Sequence, residues 1–229
     1  MKFLSAADIC AWDKSGTPPV EKILAAAGLL VLAIFAMPLI CQQLFSDRLS
    51  LPDILLFSSM PGVCAYGFFT ASKLPFRPVS FKELLGLLGC GLLLLIVVGC
   101  VNLLWMALLK SLNIPFESKQ FAIELVSKAD QKQLIQLFFA FCIFTPLMEE
   151  LLFRRIVYGA LLRFGFLPAL IGTALLFSFC HFFVAGIPGL FLLGIGFQLA
   201  YLKFRNFTMP VLLHALVNCS AFLAAINMD

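Results

Sequence analysis

Thr145-Pro146-Leu147-Met148-Glu149-Glu150-Leu151-Leu152-Phe153-Arg154-Arg155 puts two carboxylates and two guanidiniums where the surrounding sequence avoids charge. Residues 134–144 are apolar except for Gln136, and 156–162 carry no charge. Together they make a run long enough to cross a bilayer as a helix. Ionisable groups at such depth are costly, and they mark functional sites by default.

Helix geometry separates the two glutamates. Glu150 and Arg154 are i,i+4 neighbours in the favourable order, with the acid N-terminal to the base. Glu149 points about 100° away and cannot share that pairing well. It must find a proton donor or a water on another helix, which makes it the general-base candidate. Taken alone, the cluster reads equally well as an interfacial salt-bridge patch whose long side chains snorkel to water.

The rest of the composition moves that balance. The chain has 229 residues, 62% of them hydrophobic and 12% charged, with a mean hydropathy of +1.04. Soluble domains average about 45–50% apolar and about 25% charged, so this is a polytopic, integral membrane protein. The net charge of +4 comes from basic residues placed singly at segment ends. That placement makes no run or patch that would point to nucleic acid, and it reads as topology signals. The eight cysteines have no CxxC spacing and sit mostly in apolar runs. They read as small hydrophobes, with Cys180 set apart only because it adjoins His181.

Uncharged stretches and their polar borders predict about seven spans. Residues 1–22 are too interrupted by charge for a cleaved leader. Spans are expected at 23–45, at 54–71 with a Pro61-Gly62 interruption, and at 84–109, where Gly86, Gly89, Gly91 and Gly99 suit close helix packing. The segment 110–132 reads as a surface loop or an amphipathic helix on the membrane. A fourth span, 134–162, carries Pro146 three residues before Glu149 and is expected to kink there. A turn at 164–168 leads to a fifth span, 169–185, containing His181. A short sixth at 190–202 and a seventh at 207–226, containing His214 and Asn218, complete the set. With Arg154 set aside, Lys2, Lys14, Lys22, Lys73, Arg77, Lys82, Arg155, Arg163, Lys203 and Arg205 then fall on one side and Arg48, Lys110, Lys119, Lys128 and Lys132 on the other, which predicts a cytoplasmic N-terminus and an exterior C-terminus.

The chain has only two histidines, and both lie in apolar spans. One membrane histidine is as readily a helix-to-helix hydrogen bond as a functional group, but two with no others anywhere favour function. His181 follows Phe177 at i+4, and His214 precedes Asn218 at i+4, so each pair shares a face. Phe177 reads as packing beneath the His181 ring. Three elements thus supply a carboxylate, an imidazole, and an imidazole with an amide. This is an acid–base and oxyanion kit with no side-chain nucleophile, so an activated water is the economical attacking group. No G-x-S-x-G or H-E-x-x-H spacing occurs, although Glu149 with both histidines could in principle hold a metal. Straight helices leave one difficulty, because they put the two histidines about 12 Å apart in depth.

Glu149-Glu150-x-x-x-Arg154, Phe177-x-x-x-His181 and His214-x-x-x-Asn218 resemble, in order, the three motifs of the CAAX-protease and bacteriocin-processing family, also called Abi, of intramembrane endopeptidases of the type II CAAX prenyl protease kind. The resemblance implies that Glu149 and His181 activate water, and that His214 and Asn218 stabilise the oxyanion. Glu150, Arg154 and Phe177 are then structural support. No cofactor is required on that reading. A divalent metal such as zinc, held by Glu149, His181 and His214, is the alternative the family brings. The expected fold is all-α: a polytopic transmembrane helix bundle with N-terminal transmembrane helices and a connecting loop over 1–130. A C-terminal four-helix catalytic core over 131–229 completes a single integrated membrane domain. Peptide or protein substrates, lipid-modified ones included, and membrane lipids are the implied partners, with no nucleic acid, in the plasma membrane. A transporter would use the same charges as an ion relay, but no internal repeat marks two halves. A non-enzymatic immunity or scaffold protein retaining the motifs is the third class, and an activity measurement separates it.

Overall fold

The computed structural model describes residues 77–227 and, before them, Gly28 alone. The expected spans at 23–45 and 54–71, the segment 1–22, and Cys10, Cys41 and Cys64 lie outside the described residues. Every described element is helical. In order these are α1 (Phe81–Ser111), α2 (Phe121–Ser127), α3 (Gln131–Phe164), α4 (Phe166–Phe179), α5 (Ile187–Phe204) and α6 (Thr208–Ile226). Among the described residues, four helices are long and apolar enough to cross a membrane: α1, α3, α5 with its preceding 3-10 turn, and α6.

Helix starts follow local chemistry. Ser80 accepts from the Glu83 amide while Glu83 accepts from that of Ser80, and Asp130 and Gln133 do the same for α3. Each box satisfies amides that a helix N-terminus otherwise leaves open. Between α1 and α3 lies a loop followed by the short α2, which packs Val126 with Leu137, Cys142, Phe222 and Ala225. Asn206, fully buried between α5 and α6, donates to the Arg77 carbonyl at 3.0 Å and accepts from the Thr208 amide at 3.1 Å. It ties the start of α1 to the end of the α5–α6 connection.

The predicted kink at Pro146 takes another form. α3 stays helical throughout but widens into π turns at Phe139–Phe144 and Leu151–Val157. Proline has no amide hydrogen, and its ring crowds the carbonyl four residues back. In the preceding turn the Thr145 amide reaches the Ala140 carbonyl, five residues back. Pro146 then leaves the Phe141 carbonyl open, and the Asn218 side chain donates to it at 2.8 Å. A helix defect and an amide on α6 therefore complete each other.

The fifth expected span is corrected. α4 has 14 residues and ends at Phe179, which at 1.5 Å per residue is about 21 Å, short of a hydrocarbon core of about 30 Å. His181 lies beyond its end, in a turn whose next residue, Phe182, is left-handed at φ 50°. No glycine or proline announces this stop. α5 is correspondingly longer than the expected 190–202. Of the α1 glycines, Gly91 packs against Leu213 and Leu216, whereas Gly86, Gly89 and Gly99 have open space beside them among the described residues.

α4 and α5 approach closely at Gly194 and Ala174. A methyl on Gly194 would sit 3.0 Å from the Ala174 Cα, backbone that cannot yield cheaply. Gly194→Ala is expected to lower stability by about 1–3 kcal/mol through overpacking, read as a reduced melting temperature in detergent. An unchanged melting temperature would show that the two helices can separate freely.

Candidate active site

The site is built on the face of α3 that carries Glu150 and Arg154. Both side chains are fully buried. The Arg154 Nε–H donates to Glu150 Oε2 at 2.7 Å, and a second guanidinium nitrogen lies 3.5 Å from Oε1. The remaining donor direction reaches the Gly194 carbonyl at 3.0 Å and Gln198 Oε1 at 3.5 Å on α5. Phe177 and Phe197 lie 5.6 Å and 5.9 Å from the guanidinium carbon. A planar fork suits such a setting, since it can satisfy a carboxylate and two further acceptors together.

Glu150 does a second job that spacing did not reveal. His214 Nδ1–H donates to Glu150 Oε1 at 3.0 Å, and the His214 ring stacks on Phe197 at 4.6 Å with planes 20° apart. The imidazole is thereby fixed in tilt and rotation, and its Nε2 points the other way. His181 is fixed by similar logic. Its Nδ1 lies 2.7 Å from the Phe177 carbonyl, which can only accept, so the proton is on Nδ1. Phe177 packs against this ring at 4.8 Å as expected, and it also meets His214 edge-on at 5.8 Å.

Both free Nε2 atoms converge on Glu149. They lie 4.0 Å (His181) and 3.8 Å (His214) from its Oε2, which is buried without a hydrogen-bond partner. The depth offset expected from straight helices is closed, because α4 stops early and the turn after it presents His181 at the level of Glu149. The gaps are too long for direct hydrogen bonds. They suit a water that gives one hydrogen to the carboxylate and faces an imidazole with the other. Glu149 and His181 are each 16% exposed at the side chain, against 4% for His214. Glu149 and His181 thus keep some exposure at the side chain while His214 is closed off.

A tetrahedral zinc with ligands at about 2.0–2.1 Å holds their donor atoms roughly 3.4 Å apart. The atoms around Glu149 are more widely spread, and no three His, Cys, Asp or Glu side chains among the described residues are arranged to hold a metal ion. Asn218 stands one turn beyond His214 on α6, with one amide hydrogen committed to Phe141 and a second to give. Cys180, beside His181, is a free thiol.

With this geometry in place, comparison with known proteins is informative. Residues 131–220 match the family model described as type II CAAX prenyl endopeptidase Rce1-like. The membrane-embedded CAAX protease MroQ of Staphylococcus aureus (strain USA300) is 32% identical over 80 residues, which cover 32% of this chain and 32% of that protein. Residues 131–220, less than half of the chain, are thus similar to CAAX-type endopeptidases. The match spans about a third of the curated relative's length, and no solved structure matches the chain. The matched segment contains Glu149, His181, His214 and Asn218. It also contains two residues that the sequence reading passed over. Gln198 is the one uncharged amide in an otherwise apolar α5 and could have been found on that ground. Phe197 offered no signal, since an aromatic in an apolar helix is ordinary.

The contacts divide the glutamates sharply, and stability should follow. Glu150→Gln leaves a fully buried guanidinium without its countercharge and is expected to cost about 3–5 kcal/mol. Glu149→Gln loses no hydrogen bond and should leave the melting temperature in detergent nearly unchanged. Equal destabilisation by both changes would contradict the division.

Proposed function

We propose that this protein is a membrane-embedded endopeptidase in which Glu149 and His181 activate a water. The observation that carries the reading is the convergence of two oriented imidazoles on one partnerless, partly accessible carboxylate. The water oxygen attacks the substrate carbonyl carbon as one water proton passes to the Glu149 carboxylate. His181 Nε2 accepts from the other water hydrogen and aligns the attacking lone pair. The negative charge that forms on the carbonyl oxygen is met by His214, as an imidazolium that keeps Nδ1–H on Glu150 and offers Nε2–H, and by the second amide hydrogen of Asn218. Collapse of the tetrahedral intermediate breaks the C–N bond, and the proton held by Glu149 goes to the departing amine.

The catalytic unit is the helix bundle of 131–229, with 1–130 as the accompanying membrane region. Substrates are peptides or proteins at the membrane, lipid-modified ones among them. The basic ends Arg77, Lys82, Arg163, Lys203 and Arg205 gather on one side of the bundle, which supports a cytoplasmic placement of that side and of the N-terminus in the plasma membrane.

Purified protein is expected to cleave members of a defined peptide library. Glu149→Gln and His181→Ala should abolish cleavage. Removal of the His214 or Asn218 donor should lower kcat by about 10²–10³ with little change in KM. Chelator should have no effect. Loss of activity with chelator and its return with zinc would replace the water mechanism by a metal one. A folded wild-type protein that cleaves nothing in the library would favour the transporter or scaffold reading.

A further inference from the structure

We propose that Asn102 and Trp105, on α1 and outside the family-matched segment, are positioning residues for His181; the proposal rests on the endopeptidase reading for its effect on rate, though not for its effect on the ring.

In the connection from α4 to α5, residues 180–186, the amides of Cys180, His181 and Phe182 return to the end of α4 and that of Gly186 to the Phe183 carbonyl, so the His181 end is tied to α4 and the far end is left to be held from outside. The α5 N-cap, Gly186, has no side chain with which to cap. The first amides of a helix lack intrahelical partners, and in an apolar surround an unsatisfied amide is costly. The Ile187 amide reaches the Val184 carbonyl, and Pro188 has no amide hydrogen. The Gly189 amide is satisfied from another helix, since Asn102 Oδ1 accepts from it at 3.0 Å. The fit is close: a methyl on Gly189 would lie 2.4–2.7 Å from the Asn102 amide group. One turn along α1, the Trp105 indole N–H donates to the Val184 carbonyl at 2.9 Å. From the α4 side, Ser178 donates to the Ile187 carbonyl at 2.7 Å.

The turn is therefore pinned at 184, 187 and 189, three residues and more past His181. Its own conformation is strained, with Phe182 at φ 50° and 86% exposed. A bulky residue holds a left-handed conformation only where the surroundings over-determine it. From α1, Trp105 ties down the backbone of this turn and Asn102 that of the first turn of α5 just after it. Without them the His181 ring, bonded only to the Phe177 carbonyl, loses its register against Glu149.

The test uses the full chain in detergent with isotope-labelled histidine. Two histidines give two sets of imidazole signals, and His214→Gln assigns them. Asn102→Leu is expected to shift or split the His181 set while leaving that of His214 in place. It should lower kcat between about 10- and 100-fold with little change in KM. Asn102→Asp, which keeps an acceptor oxygen at the same reach, should restore both. Gly189→Ala should reproduce the Asn102→Leu shift, yet add little in an Asn102→Ala background. Trp105→Phe removes one donor alone and should move the His181 set in the same direction by less. It also serves as the readout if Asn102→Leu does not fold. Unmoved His181 signals in Gly189→Ala and Trp105→Phe would overturn the proposal. Shifted signals in a protein that cleaves nothing would support the positioning role and overturn the endopeptidase reading instead.

Discussion

The buried ion pair of Glu150 and Arg154 is the constraint on which the rest depends. Two opposite charges are taken out of water inside an apolar bundle, and the desolvation of each is recovered only because every polar direction finds a partner. Arg154 spends its fork on Glu150 and the α5 backbone, and so fixes α3 against α5. Glu150 spends its second oxygen on His214, and so fixes α6 and the tilt of an imidazole. The neighbouring Glu149 is left without a partner, and that is the property a base toward water requires. Adjacent residues of one type thus differ in role because helix geometry gives one of them an arginine.

The second constraint is depth. A span that ran from one surface to the other would have carried His181 past Glu149. α4 instead ends within the thickness of the bundle, and the turn after it faces the carboxylate. Such a turn exposes backbone amides where no water satisfies them, and α1 answers with Asn102 and Trp105. The π turns of α3 follow the same economy. Pro146 opens the Phe141 carbonyl, about two turns before the reactive glutamate, and Asn218 closes it. The first π turn of α3 and the turn after α4 are each completed by side chains from another helix, Asn218 for the one and Trp105 for the other.

Much of this was legible in the sequence. Composition gave a polytopic helical membrane protein, i,i+4 spacing gave the Glu150–Arg154 pair, and the rarity of histidine drew attention to His181 and His214. The end of α4 was not legible, because Cys180, His181 and Phe182 continue an apolar run with no glycine or proline. A left-handed phenylalanine is a tertiary outcome that local propensity argues against. Asn218 was read as an oxyanion donor, and its bond to the Phe141 carbonyl became visible only once the π register of α3 was known. Asn102 and Gln198 were single amides in long apolar helices, and their partners lie 87 and 44 residues away. No short-range pattern could have linked them.

The central claim is that Glu150 alone is bound to Arg154 and that Glu149 stands free of it. Double-mutant cycles on melting in detergent address this directly, pairing Arg154→Met with Glu150→Gln and, separately, with Glu149→Gln. The account predicts a large coupling for Glu150, with its substitution costly beside Arg154 and nearly neutral beside Met. It predicts essentially none for Glu149. Equal couplings for the two glutamates would contradict it.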